Sequence, residues 1–320
     1  MDRLIDAIDA KENPSVVGLD PTPALLPEPL LASVREETPS NQAAALADAY
    51  VAFNAAIIDA VKDVVPAVKP QIAMYEALGV SGIDAYVRTA ATAQRAGLYV
   101  LGDVKRGDIG STAAAYASHL SGLPGFGQTA ATPDLWHEDA VTVNPYLGTD
   151  GITPFVDAAT AHDKDLFVLV RTSNPSSSEL QDLDAEGTAI SDRVGDLVER
   201  WGAQTRGKHG YSRVGAVVGA THPDDGRRLR ARLPHTFFLV PGFGAQGGTA
   251  ADIVPMFDAQ GHGAIVNSSR GIIGAWRNDP AAAGVTDTTQ ALDLVATAAR
   301  RAALAMKATI TTELEKSLGN

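Results

Sequence analysis

The sequence predicts an α/β protein, a (β/α)8 barrel of the TIM type. Three observations carry the prediction. Eight short apolar runs recur between turn residues, helical patterns or long connections separate them, and the residues just after the runs are unusually polar. Alternation of strand and helix implies parallel strands, and eight of them match a closed barrel better than an open doubly wound sheet.

The first run, 15–19, is Ser-Val-Val-Gly-Leu and stops at Asp20-Pro21. An alanine-rich helical stripe over 41–64 leads to the second run at 65–69, which ends at Pro70. A helix over 83–96, closed by Gly97, leads to the third run at 98–105. Runs four and five follow at 140–143 and 166–171, then a helix over 188–204 and the sixth run at 214–218. A helix over 223–232 separates this from the seventh run at 237–240, the eighth lies at 264–267, and a terminal helix covers 288–318. A chain of 320 residues with 45% hydrophobic content suits one barrel-sized domain or two ordinary ones, and with no linker between halves residues 1–320 are expected to form a single barrel domain.

Composition narrows the function classes. A net charge of −12 argues against a nucleic-acid partner, because affinity for polyanions rests on basic patches that neutralise phosphates. There is no arginine-rich or apolar leader at Met1-Asp2-Arg3-Leu4, and no apolar stretch is expected to reach the ~18 residues that cross a bilayer. Zero cysteines remove disulfides, thiolate catalysis and cysteine-held metal, and are compatible with a reducing compartment. The expectation is a soluble cytoplasmic protein with no membrane partner.

The most informative segment is Asp103-Val104-Lys105-Arg106-Gly107-Asp108, which puts two carboxylates and one ammonium around the end of the third strand. Side chains alternate along a strand, so Asp103 and Lys105 point the same way and share one pocket. Alone, the pattern would also read as a surface ion pair at a turn. Of the 8 lysines, however, two, Lys69 and Lys105, sit at strand ends, where a charge needs a reason, and the C-terminal ends of barrel strands are where catalytic groups stand. Other strand ends offer Asp20, the segment Asn144-Pro145-Tyr146, and Arg171-Thr172-Ser173-Asn174-Pro175, each of which also reads as an ordinary turn.

Two loops carry a phosphate signal. Pro241-Gly242-Phe243-Gly244-Ala245-Gln246-Gly247-Gly248 follows the seventh strand and Asn267-Ser268-Ser269-Arg270-Gly271 the eighth, the places where barrels often hold phosphate. Glycines let backbone N–H groups turn toward an anion, Thr249 can cap the next helix, Arg270 offers a guanidinium fork and Gln246 can close over the ligand. Candidate substrate contacts here are Pro241, Gln246, Gly247 and Arg270. A flexible glycine loop beside an exposed arginine is the bland alternative. The seven histidines (119, 137, 162, 209, 222, 235 and 262) show no metal-ligand spacing and are expected on the surface or in loops.

With Asp103-x-Lys105-x-x-Asp108-Ile109-x-x-Thr112, the Pro-Gly-Phe-Gly-Ala-Gln-Gly loop and Ser-Ser-Arg270 in order, the chain resembles the orotidine 5′-phosphate decarboxylase family over nearly its whole length. It is most similar to the longer bacterial branch, type 2, through Val17-Gly18-Leu19-Asp20-Pro21, Val143-Asn144-Pro145-Tyr146-Leu147-Gly148 and Arg171-Thr172-Ser173-Asn174-Pro175. The resemblance implies conversion of orotidine 5′-monophosphate to uridine 5′-monophosphate and CO2, with no cofactor and no metal. It implies a catalytic tetrad of Lys69, Asp103, Lys105 and Asp108. It also implies a homodimer in which Asp108, Ile109 and Thr112 reach into the partner's site. Asp20 and Lys69 would hold the ribose, one of Thr172, Ser173 and Asn174 the pyrimidine, and Gln246 and Arg270 the phosphate.

Decarboxylation at C6 leaves an sp2 carbanion with little delocalisation. An ammonium flanked by carboxylates favours its charged form and can both stabilise that carbanion and protonate it, which is the role expected of Lys105. Asp103 would sit against the departing carboxylate. Three rivals differ in chemistry. A Mg2+-dependent phosphosugar decarboxylase or aldolase would need oxygen ligands where Lys69 stands. A Schiff-base aldolase would need a lysine of lowered pKa, and a nucleotide-binding barrel without turnover would not need the tetrad. The segments 122–139 and 174–187 are rich in Pro, Gly, Ser and Thr, and read either as lids or as loose insertions.

Overall fold

The structure, a computed structural model, describes residues 1–123, 133–244 and 247–319. Eight parallel strands, β1 (Ser15–Leu19), β2 (Ala67–Pro70), β3 (Tyr99–Arg106), β4 (Ala140–Val143), β5 (Asp165–Arg171), β6 (Val214–Val218), β7 (Phe238–Val240) and β8 (Ala264–Ser268), pair in sequence order and close where β8 meets β1. Each differs from its sequence-based range by at most two residues at either end, and 15–19, 140–143 and 214–218 coincide. Strands buried on both faces must be apolar throughout, which is why apolar runs bounded by polar turns locate them so closely.

The helices are α1 (Asp2–Lys11), α2 (Glu28–Arg35), α3 (Gln42–Val61), α4 (Ile72–Glu76), α5 (Gly79–Arg95), α6 (Gly110–Tyr116), α7 (Ser118–Ser121), α8 (Thr149–His162), α9 (Ser178–Gln181), α10 (Ile190–Gly202), α11 (Pro223–Arg232), α12 (Ala250–Ile253), α13 (Arg270–Ile273) and α14 (Thr288–Leu318). The helices expected from periodicity are present as α3, α5, α10, α11 and α14; α1, α2 and α8 add to them. Inside the barrel, Val16, Ala67, Leu101, Ala140, Phe167, Val217, Leu239 and Ile265 pack into one apolar core, and α1 joins that cluster through Met1, Leu4, Ile5 and Ile8. A second layer lies between strands and outer helices and includes Phe53, Tyr75, Phe155, Phe238 and Met256.

Two expectations change. Helix α3, at 20 residues, is long and apolar enough to cross a bilayer by length and composition, contrary to the reading of the sequence. Its apolarity is used on the barrel instead: Tyr50, Phe53, Ile57, Ile58 and Val61 are buried, and the helix packs against α5 and α14. His119 is also not a surface residue. On α7 it is 3% exposed, its Nδ1 lies 2.7 Å from Glu138 Oε2, and it stacks on Trp136 at 4.0 Å. Glu138 also accepts from the Tyr86 hydroxyl, behind β3. Burial of a histidine requires such a partner, and Glu138 is nineteen positions away, so local sequence does not reveal it.

Candidate active site

At the C-terminal mouth of the barrel lies a cavity of about 520 Å3. Asp20, Lys69, Asp103 and Lys105 line one side, Thr172, Ser173 and Pro241 another, and Leu169, Val217 and Leu239 supply apolar surface. Asp103 and Lys105 meet in this cavity, as the sequence predicts. Asp103, 7% exposed, accepts four hydrogen bonds. Lys69 Nζ (2.6 Å) and Gln71 Nε2 (2.7 Å) donate to Oδ2; Lys105 Nζ (2.5 Å) and the Thr142 hydroxyl (2.9 Å) donate to Oδ1.

The electrostatics follow from this cage. Burial by itself would raise the Asp103 pKa, but the two ammonium groups outweigh it and hold the carboxyl well below the usual carboxylate range. Burial would lower the Lys69 pKa, and the charges of Asp103 and Asp20 more than offset that, so its pKa is raised. Lys69 is therefore a fixed buried cation. Lys105 differs, because nearly half of its side chain is exposed, with the ammonium end of the pair open to the cavity.

Lys105 reaches this position through an irregular backbone. The β3–β4 register shifts between Gly102 and Arg106, and Lys105 has φ of 47°, in the left-handed region that a non-glycine residue enters at a cost of about 1–2 kcal/mol. Its N–H donates to Thr142 Oγ1 at 3.0 Å, so Thr142 fixes both the Lys105 backbone and the Asp103 carboxylate. A strand pattern carries no sign of this bulge. On β1, Gly18 lets β8 approach, since a Cβ there would lie 1.9 Å from Ser269 Oγ and 3.1 Å from Asn267 Oδ1. Among the described residues, Asp20 Oδ1 and Asn267 Oδ1 are buried and accept no hydrogen bond, which leaves two acceptors for a ligand's hydroxyl or amino groups.

Not every candidate gathers here. Asp108 does not line the cavity; its Oδ1 accepts from the Ile109 N–H at 2.8 Å, while Ile109, which caps α6, and Thr112, on its first turn, are exposed. Arg270 is exposed at the start of α13, and Gly247, with φ of 100°, is exposed after β7. Gln246 lies outside the described residues. Thr249 caps α12 as expected, through a capping box with Asp252. Gln71, Thr142, Gln181, Asn267 and Ser269 were not chosen from the sequence, although all five line the cavity. Asn267 and Ser269 lie in a segment already singled out and continue the two-residue alternation of β8, which is the signal that could have found them.

The segment 174–187 is neither a loose insertion nor detached from the site. It forms a turn at Pro175–Ser177, then α9, then a bridge between Asp184 and Ala189. Arg171, 3% exposed at the end of β5, anchors it by ion pairs to Asp182 (2.7 Å) and, from α11, Asp225 (2.8 Å).

Comparison with known proteins settles the lineage. The model of the orotidine 5′-phosphate decarboxylase / HUMPS family matches residues 16–286. A protein of Rhodopirellula baltica named orotidine 5′-phosphate decarboxylase is 46% identical over 265 residues, 82% of this chain and 84% of that one.

The chain belongs to the orotidine 5′-phosphate decarboxylase / HUMPS family.

Another orotidine 5′-phosphate decarboxylase, from Caldicellulosiruptor bescii, is 40% identical over 280 residues, 87% of this chain and 90% of that one. Among solved structures, Leishmania donovani OMP decarboxylase superposes with a TM-score of 0.71 at 28% identity, covering 98% of this chain and 97% of that one. Family membership is thus consistent from sequence to barrel.

Proposed function

We infer that this chain is an orotidine 5′-phosphate decarboxylase, a carboxy-lyase that converts orotidine 5′-monophosphate to uridine 5′-monophosphate and CO2 in pyrimidine synthesis. The observation that carries the reading is the Lys69–Asp103–Lys105 cage at the floor of a mouth cavity, in a chain 46% identical to a protein of that name. Breaking the C6–carboxylate bond releases CO2 and leaves the electron pair on C6. Lys105 Nζ, pinned at one end by Asp103, stabilises that pair and transfers a proton to it, and solvent restores the proton to the lysine. Asp103, held ionised by two cations, stands where the substrate carboxylate must come. That placement favours its departure, while the preorganised ammonium lowers the energy of the transition state.

Asp20 and Lys69 would take the ribose hydroxyls, Ile109 and Thr112, reaching in from a second copy of the chain, the far side of the ligand, and one of Thr172, Ser173 and Asn174 the pyrimidine. Pro241, Gln246, Gly247 and Arg270 would surround the phosphate. We also propose a homodimer with shared sites, residing in the cytoplasm. The support for a dimer is that Asp108, Ile109 and Thr112 stand off their own cavity on an apolar flank. Ile109 and Tyr146 are 52% and 81% exposed there, with Leu147 exposed beside them. A Cβ on Gly151, between these segments, would lie 3.0 Å from the Asp108 carbonyl and 3.3 Å from Leu147, so they form one continuous surface.

The test is to mix EDTA-treated protein with orotidine 5′-monophosphate and follow the loss of orotate absorbance, with Lys105→Ala as control. Turnover by the wild type, lost in the variant while uridine 5′-monophosphate still binds, is the expected result. Unchanged turnover in Lys105→Ala would sink the mechanism, and binding without turnover in the wild type would leave a nucleotide-binding barrel.

A further inference from the structure

Three side chains at the cavity wall form a directed chain of hydrogen bonds. Gln181 Oε1 accepts the Thr172 N–H at 2.9 Å, and Gln181 Nε2 donates to Thr172 Oγ1 at 2.7 Å. Thr172 Oγ1 in turn donates to Asn174 Oδ1 at 2.6 Å. All three residues line the cavity. The direction is fixed at one end, because a backbone N–H can only donate. The Gln181 carbonyl must face it, which leaves the Gln181 amino group for the hydroxyl, sends the single hydroxyl proton to Asn174, and occupies the Asn174 oxygen. What Asn174 then has left for a ligand is its amino group, a pure donor.

The fold holds Gln181 firmly for this purpose. The next residue, Asp182, is bound to Arg171, itself buried and also bound to Asp225, so the end of α9 is tied to β5 at two adjacent residues. A loop that only covered the barrel would not need both ties.

We propose that Gln181 is a positioning residue for base recognition: through Thr172 it fixes Asn174 as a hydrogen-bond donor to the 4-oxo group of the uracil ring. The inference rests on the decarboxylase reading, because the ring orientation follows from it. With the ribose at Asp20 and Lys69 on β1 and β2, and C6 at Lys105 on β3, the position para to the glycosidic nitrogen faces the opposite wall. In an eight-stranded barrel closed in sequence order, the strand opposite β1 is β5, and Thr172 and Asn174 follow β5. That position is C4, an acceptor in uracil and an amino donor in cytosine.

The relay can be reversed. In Gln181→Glu both carboxylate oxygens accept, one from the Thr172 N–H and one from the Thr172 hydroxyl. The hydroxyl proton is no longer available to Asn174, whose amide turns over, donates to Thr172 and presents its oxygen to the cavity. Asn174→Asp reaches the same end with Gln181 intact, since a carboxylate offers only acceptors.

The experiment titrates wild type, Gln181→Glu, Gln181→Met and Asn174→Asp with uridine 5′-monophosphate and cytidine 5′-monophosphate by calorimetry, alongside wild-type turnover of orotidine 5′-monophosphate. Wild type should prefer the uridine nucleotide by about tenfold or more, because a donor or acceptor left unpaired once the bound ring covers Asn174 discriminates at roughly that level. Gln181→Glu and Asn174→Asp should shift the preference toward cytidine by about tenfold or more. Gln181→Met should lose uridine affinity without gaining cytidine affinity. An equal loss of both nucleotides in Gln181→Glu and Asn174→Asp, or an unchanged preference, would overturn the relay. Absence of wild-type turnover and uridine nucleotide binding would instead overturn the decarboxylase reading beneath it.

Discussion

Asp103→Asn should lower the unfolding free energy at pH 7 by about 3–5 kcal/mol, the usual cost of removing one partner from a buried ion pair. The carboxylate accepts two bonds on each oxygen, so whichever way an amide turns, its nitrogen meets two donors. It would turn away from Lys69, the more buried cation, and face Lys105 and Thr142. The lost Lys105 pair contributes no more than ~1 kcal/mol, because that side chain is 45% exposed and screened by solvent. The lost Thr142 bond contributes a further ~1 kcal/mol. The rest arises at Lys69, whose side chain is 5% exposed and loses the charge that offsets its burial. Urea denaturation of wild type and variant measures the difference.

The sign of its pH dependence follows from the direction of each shift. The Asp103 pKa is lowered by folding, so its contribution is present above the unfolded value near 4 and fades as pH falls toward the lower folded value. The Lys69 pKa is raised, so its contribution is present below its ordinary value and fades as pH rises through the folded one. The gap between wild type and variant should hold across the neutral range and close on acidification below ~4. A loss under ~1 kcal/mol at pH 7, or a gap that stays open in acid, would refute the account of the cage.

Gly18→Ala should cost roughly 1–3 kcal/mol and weaken uridine 5′-monophosphate binding, because its Cβ meets Ser269 Oγ at 1.9 Å; unfolding and nucleotide titration check both. Arg270→Ala should raise KM with little change in kcat in steady-state assays, as expected of an exposed phosphate contact away from the Asp103 cage. Mixing Lys105→Ala with Asp108→Asn, each inactive alone, should restore about a quarter of wild-type turnover if the partner supplies Asp108, since half the dimers would then carry one intact site. No recovery after subunit exchange would place Asp108 in its own chain's site.

How far the site could be read from the sequence depended on the range of the interaction. Asp103 and Lys105 are two apart at one strand end, and Lys69 ends the neighbouring strand, so closeness along the chain and barrel geometry mark them as one cluster, although the bulge that seats Lys105 is not written in the pattern. Gln71 and Thr142 are 32 and 39 residues from Asp103, and nothing local marks them as its partners. The same holds for His119 and Glu138, and for Gln181, which only the return of α9 to β5 brings to Thr172.

By itself the sequence determined the eight strands, their parallel order and the charged residues at their ends, because burial on both faces forces apolar runs and barrel closure exposes their C-terminal ends in a single mouth. Only the tertiary structure decided that Asp103 is caged by four donors, that Lys105 sits on a bulge with φ of 47° and that 174–187 forms a wall of the cavity. These features depend on register shifts, side-chain bonds and close approaches between distant strands, and such contacts are set by packing in three dimensions rather than by any periodic pattern along the chain.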